Sequence, residues 1–155
     1  MTQAQADRPA ANRSVETDLQ ATLIELVDLS LQGKQAHWNV SGLNFRSVHL
    51  ELDEIVDSAR LSADRVAERI ATIGSAPDGR SGTIATAQPF AAFPGGPTAT
   101  ADVVERIGAV IDELAGRLRE RILRLADTDP VSQGILIDVD EALEKQAWML
   151  RAQLA

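Results

Sequence analysis

A chain of 155 residues with 45% hydrophobic side chains is long enough to bury a sizeable core in one domain. It has no Cys, which excludes disulfides, thiolate zinc sites and cysteine nucleophiles, so any metal must be held by His, Asp and Glu. A net charge of −8, from 23 acids and 15 bases, and 3% aromatics with no Tyr argue against a broadly basic nucleic-acid surface or a base-stacking platform, and suit the concentration of cations.

Residues 1–14 show no apolar periodicity and are expected to form a flexible N-terminal tail before a single domain over 15–155. Met1 to Arg13 lacks the apolar stretch of a secretory signal, and no apolar run reaches the roughly 18 residues of a membrane span, so the expected location is the cytoplasm. From Val15, Leu19, Leu23, Leu26 and Val27 recur at helical spacing and predict a first helix to about Asn39. Gly42 and Asn44 break it, with Asn44 expected as an N-cap. A second helix should run from Phe45 to about Ile73, with Phe45, Val48, Leu52, Ile55, Ala59, Val66, Ile70 and Ile73 facing inward.

Gly74 is placed to end that helix, with Pro77 just beyond. Residues 74–98 are rich in Gly and Pro and form a long crossover, with one short helix expected near Gly82–Thr86. A third helix is expected from about Thr100 to Ala126, with Arg117, Arg119, Arg121 and Arg124 late in it, as the helix dipole favours. Asp129-Pro130 supplies an N-cap and first residue for a fourth helix, whose inward side is Ile135, Val139, Leu143, Ala147 and Leu150. Trp148 on that helix is expected to serve packing. No strand alternation is visible. The predicted class is all-α, a four-helix bundle with one long crossover, the connectivity of ferritin-like folds.

The chain has only two His, His37 and His49. His49 and Asp53 are four residues apart on the second helix, and so are Asp64 and Glu68. Such pairs share a helix face and can converge on a divalent cation, although a charged pair alone is ordinarily a solvated face and a lone His ordinarily structural. On a wheel of about 100° per residue counted from Phe45, the apolar stripe centres near 310° and the four polar residues fall between about 40° and 140°. They therefore lie off the bundle's core. The two pairs stand about 22 Å apart along the helix and cannot share a metal within one chain. Two copies of the helix packed antiparallel about a two-fold axis would bring them together, crossing near Ser58 and Ala59, where small residues permit close approach. His37 would join from the end of the first helix. The resulting two imidazoles and three carboxylates suit Fe, Mn or Zn, with redox-active iron favoured by open coordination positions.

The run Lys34-Gln35-Ala36-His37-Trp38-Asn39-Val40, followed by Gly42, Asn44-Phe45, His49, Asp53, Asp64 and Ala67-Glu68-Arg69, resembles the Dps family of miniferritins, as does Leu143-Glu144-Lys145-Gln146-Ala147-Trp148. The resemblance covers residues 15–155. It implies a hollow homo-dodecamer whose di-iron ferroxidase centres take His37, His49 and Asp53 from one subunit and Asp64 and Glu68 from its two-fold mate. It further implies oxidation of Fe(II), preferentially with hydrogen peroxide, storage of a ferric mineral core, and protection against oxidative stress. Trp38 would quench radicals beside the centre or serve simply as an interface aromatic. Asp129 and Asp138 are candidates for an acidic iron-entry pore, with ordinary surface charge the alternative; Gly134 departs from the acid expected in some relatives.

Many members of that family bind DNA through Lys-rich tails. This chain has only Lys34 and Lys145, and its first residues carry Arg8 and Arg13 offset by Asp7, Glu16 and Asp18. Weak DNA binding is therefore the expectation, and a nucleoid-binding structural protein is the alternative function.

Overall fold

The computed structural model describes residues 10–154, with side chains from residue 13 onward. Four long helices, α1 (Ala10–Asn39), α2 (Phe45–Thr72), α4 (Thr100–Leu125) and α5 (Pro130–Ala152), form the bundle, and a short α3 (Ser81–Ala87) lies in the crossover. The expected class and crossover helix are both present. The expected tail over 1–14 is helical from Ala10, and the rest of it lies outside the described residues. Ala10 and Ala11 favour helix strongly, and no breaker follows them before Val15, so helix forms where there is no apolar periodicity to announce it.

α1 and α2 form one hairpin, and α4 and α5 another. Gly33 makes the first hairpin close: a Cβ there would come within 2.8 Å of Val56 Cγ2, so any larger residue would push α1 off α2. The turn between them corrects the expected cap. Asn44 takes a left-handed conformation, φ 61°, and makes no side-chain cap bond; its amide instead donates to the Gln153 carbonyl at 3.3 Å. Asn tolerates that conformation, and the turn geometry here prevails over capping. At the other end of α2, Gly74 at φ 82° donates to Ala71 O at 2.9 Å and Ser75 to Ile70 O at 3.0 Å, which is the Schellman arrangement.

A two-residue parallel bridge pairs Val40–Ser41 (β1) with Thr98–Ala99 (β2). It is too short to leave an alternating pattern. It fixes the end of α1 beside the start of α4, and Thr100 Oγ1 reinforces it by donating to Leu43 O at 2.7 Å. The crossover thus carries the chain back so that α2 and α4 run the same way. α5 begins as its sequence indicates: the Asp129 carboxylate accepts from Val131 N–H at 3.2 Å and Ser132 N–H at 3.1 Å, with Pro130 as first residue.

The core is one cluster in which Leu19, Leu26, Leu52, Ile55, Ile107 and Leu114 are fully enclosed. Two apolar assignments change, those of Phe45 and Trp148. Phe45 is exposed at the start of α2 rather than inward. Leu136 is fully buried in the first turns of α5 beside the expected Val139, Leu143, Ala147 and Leu150, and Ile135 packs partly buried against the same core. Ala59 is 1% exposed and faces this core as expected, so it does not form the expected crossing surface midway between the His49/Asp53 and Asp64/Glu68 pairs. Trp148, expected to pack, is 65% exposed.

The arginines of α4 do more than complement a dipole. Arg121 is buried and reaches Glu25 of α1 with two hydrogen bonds, one of 2.9 Å, and Thr22 Oγ1 at 3.1 Å. Arg117 also bonds Glu25, at 2.8 Å, and its guanidinium lies 5.0 Å from the Phe90 ring centroid. Arg124 grips Asp18 at 2.8 Å. Arg119 pairs with Asp140 and Glu144 of α5. A buried pair such as Glu25–Arg121 costs desolvation that its attraction roughly returns, but removal of one partner leaves a buried charge. Arg121→Met is expected to lose about 3–5 kcal/mol, and Glu25→Met/Arg121→Met to lose much less. Urea unfolding of both variants checks this; equal losses would mean that the pair itself supplies the stability.

Candidate metal centre

His37 sits in the last turn of α1 and His49 in the second turn of α2, joined by the short connection over residues 40–44. Each ring bonds the other residue's backbone: His37 Nδ1 is 2.9 Å from His49 O, and His49 Nδ1 is 2.9 Å from His37 O. A carbonyl only accepts, so both Nδ1 atoms carry the proton. In the neutral rings both Nε2 atoms then keep a lone pair, the form that ligates metals. The rings stack with centroids 3.6 Å apart and planes 24° from parallel, and Phe45 closes over His49 at 5.1 Å.

Asp53, one turn beyond His49, places Oδ1 3.3 Å from His37 Nδ1. His37, His49 and Asp53 each offer a ligand atom, all within 4.8 Å of one another. Three of the five residues proposed from the sequence thus converge within one chain. Asp64 and Glu68 do not join them. Both are exposed on α2, and at about 1.5 Å per residue Asp64 lies some 16 Å along the helix from Asp53. Among the described residues neither carboxylate has a hydrogen-bond or ion-pair partner, which leaves both available to something outside the chain. Trp38 follows His37 with its indole 71% exposed.

Lys34 was not among the sequence candidates. Its ammonium bonds Asp53 Oδ1 directly, and this contact, opposed by a little burial and aided by His37, holds the Asp53 carboxyl below its usual range. The signal was its position three residues before His37, one turn along the same face of α1. The charged form of Asp53 is thereby favoured, but a cation must take it from an internal ammonium.

The two candidate pore carboxylates face α2. Asp129 receives both Arg69 Nη2 contacts, at 2.8 and 2.9 Å, and accepts Ser132 Oγ–H at 2.6 Å. Burial raises its pKa, but these bonds prevail and the carboxyl sits below the usual range. Asp138 pairs with Arg65 at 2.7 Å. The Asp129 side chain is 14% exposed and that of Asp138 is 55%, so Asp138 is the more open of the two.

Comparison with known proteins agrees with this architecture. A ferritin-like domain matches residues 16–155. DNA protection during starvation protein 2 of Deinococcus radiodurans is 37% identical over 136 residues, 88% of this chain but 56% of that protein, so the chain spans just over half of that relative's length. The crystal structure of a Dps from Deinococcus radiodurans superposes with a TM-score of 0.91 at 34% identity, covering 93% of this chain and 87% of the other. A Dps from Microbacterium arborescens, in a high iron form, gives 0.89 at 33% identity, covering 96% and 97%.

Replacement of Lys34 removes both the competing ammonium and a positive charge next to the incoming cation. Lys34→Met is expected to bind Co(II) about tenfold more tightly, an effect kept modest by the partial exposure of Asp53. Titration followed by Co(II) absorbance measures it; unchanged or weaker binding would make Lys34 a support of the centre, not a competitor.

Proposed function

This chain belongs to the Dps family of ferritin-like proteins, and from that premise we propose that it binds Fe(II) between two-fold-related subunits, oxidises it there with hydrogen peroxide and stores the ferric product inside a hollow dodecamer. The observation that carries the proposal is the convergence of His37, His49 and Asp53, with both Nδ1 atoms committed to backbone carbonyls. Two imidazole nitrogens and one carboxylate make half of a site. Asp64 and Glu68, unpartnered on the same helix, supply the other half when a second α2 packs antiparallel against the first.

The chain's own groups have distinct tasks. The neutral imidazoles hold the metal without adding positive charge. The three carboxylates neutralise the incoming cations and favour the ferric over the ferrous charge state. Lys34 yields Asp53 on metal entry and remains as a neighbouring cation that can steady a peroxide oxygen. Two Fe(II) each lose one electron, the peroxide O–O bond takes both and breaks, and two protons complete two waters. Trp38, beside His37 and open, is an electron donor for any one-electron oxidant released there. Asp138, exposed on α5, is the better candidate for guiding cations inward; Asp129 is committed to its cap and to Arg69. In this function DNA is protected chiefly by removal of Fe(II) and peroxide. Association with DNA is weak, consistent with the net charge of −8 and with Lys34 engaged at the centre. No described helix is long and apolar enough to cross a membrane.

His37→Ala and Asp64→Ala are each expected to drop peroxide-driven Fe(II) oxidation to the protein-free rate, followed by absorbance of the ferric product. If the centre is shared, subunit exchange between the two variants restores one whole centre in every mixed dimer, or about a quarter of the wild-type sites in an equal random mixture. Full activity in either single variant would place the chemistry elsewhere, and failure of the mixture to recover would place it within one chain.

A further inference from the structure

Between the two ligand pairs, the arc of α2 on which they lie carries one acid and one base. Asp57 and Arg60 are both exposed, and among the described residues neither has a hydrogen-bond or ion-pair partner. The next two arginines of the helix differ: Arg65 pairs with Asp138 and Arg69 with Asp129. Asp57 and Arg60 are near enough in sequence to bond each other, yet they do not.

Their positions explain why both stay free. His49, Asp53, Asp57, Arg60, Asp64 and Glu68 occupy a single arc of about 100° on the helix wheel. All six are disposed symmetrically about the peptide that joins Ser58 to Ala59. When an antiparallel copy is laid on this arc with the two-fold axis through that peptide, His49 falls opposite the partner's Glu68, Asp53 opposite the partner's Asp64, and Asp57 opposite the partner's Arg60. Leu50, an exposed apolar side chain at the edge of the arc, falls opposite the partner's Ala67.

We propose that Asp57 and Arg60 are positioning residues that pair with the partner's Arg60 and Asp57 across the two-fold axis, and that this double ion pair sets the register in which each centre receives the partner's Asp64 and Glu68. It rests on the shared centre described under the proposed function and names the contact that aligns its halves. Slippage by one helical turn in one direction sets Asp57 opposite the partner's Asp64 and Asp53 opposite the partner's Glu68, which stacks like charges along the seam. Slippage in the other direction diverts Arg60 to the ligand Asp53 and leaves Asp57 facing Val56, which is fully buried in its own chain. Only the central register satisfies the ion pair and the metal ligands together.

The test uses Asp57→Arg and Arg60→Asp, each alone and then mixed, with circular dichroism to show that both keep their helices. Each variant alone sets like charges against like on both sides of the axis. Its dimers should dissociate about tenfold more readily in native mass spectrometry, and its Fe(II) oxidation should fall with them. In a mixed dimer every facing pair is again opposite in sign, so an equal mixture should recover both assembly and oxidation, which a role confined to one chain cannot produce. Wild-type-like assembly of either single variant, or a mixture that stays dissociated, overturns the register while leaving the shared centre to the His37→Ala and Asp64→Ala exchange. A mixture that reassembles when neither it nor the wild type oxidises iron upholds the register and overturns the ferroxidase function.

Discussion

Two imidazoles, each donating its Nδ1 proton to the other residue's carbonyl, hold the end of α1 against the start of α2. Much else follows from this exchange. It fixes the tautomer of both rings, so the same contact that closes the hairpin also leaves each Nε2 its lone pair in the neutral ring. It requires the helix axes to be close, and Gly33 against Val56 provides that approach a little further down the same seam. It also requires a short, sharply turned connection, which the left-handed Asn44 and the parallel bridge to Thr98–Ala99 supply. The His37, His49 and Asp53 cluster is thus built from the hairpin's own closure and needs no separate scaffold.

Charge is distributed in two ways across the bundle. Along the seam of α1 and α4 it is paired: Glu25 with Arg117 and the buried Arg121, and Asp18 with Arg124. Along the outward face of α2 it is exposed, and Asp57, Arg60, Asp64 and Glu68 are left without partners among the described residues. A single chain therefore pairs the charges of that seam and keeps one face open. Because an unscreened row of charge is more costly to bring together than to leave in water, that face gains from assembly only when opposite signs, or a bound cation, meet across it.

Much of this could be read in the residues before the coordinates. The long apolar stripes fixed the number of helices, the crossover and the core. Asp129-Pro130 and Gly74 fixed two helix ends because their chemistry at those positions has few alternatives. The convergence of His37, His49 and Asp53 followed from spacing on one helix and a short turn. Other features were hidden for physical reasons. Asn44 offered both a capping side chain and a tolerance for the left-handed region, and only the turn decided between them. Ala59 was counted inward and also set at the crossing of two helices, and only its enclosure in the core decides between the two. The arginines of α4 were visible as charges, but their acceptors on α1 lie about a hundred positions away, beyond any local pattern.

The exposure of both tryptophans has an optical consequence. With no tyrosine in the chain and Trp38 and Trp148 largely in water, near-ultraviolet emission comes almost entirely from side chains outside the core. Fluorescence is then nearly blind to the packing of the bundle, since both indoles begin in a solvent close to the one they meet in the unfolded chain. It is instead sensitive to whatever covers the molecule's exterior. In this protein intrinsic emission is a gauge of contact between molecules, and the folding of a single one must be followed through the backbone.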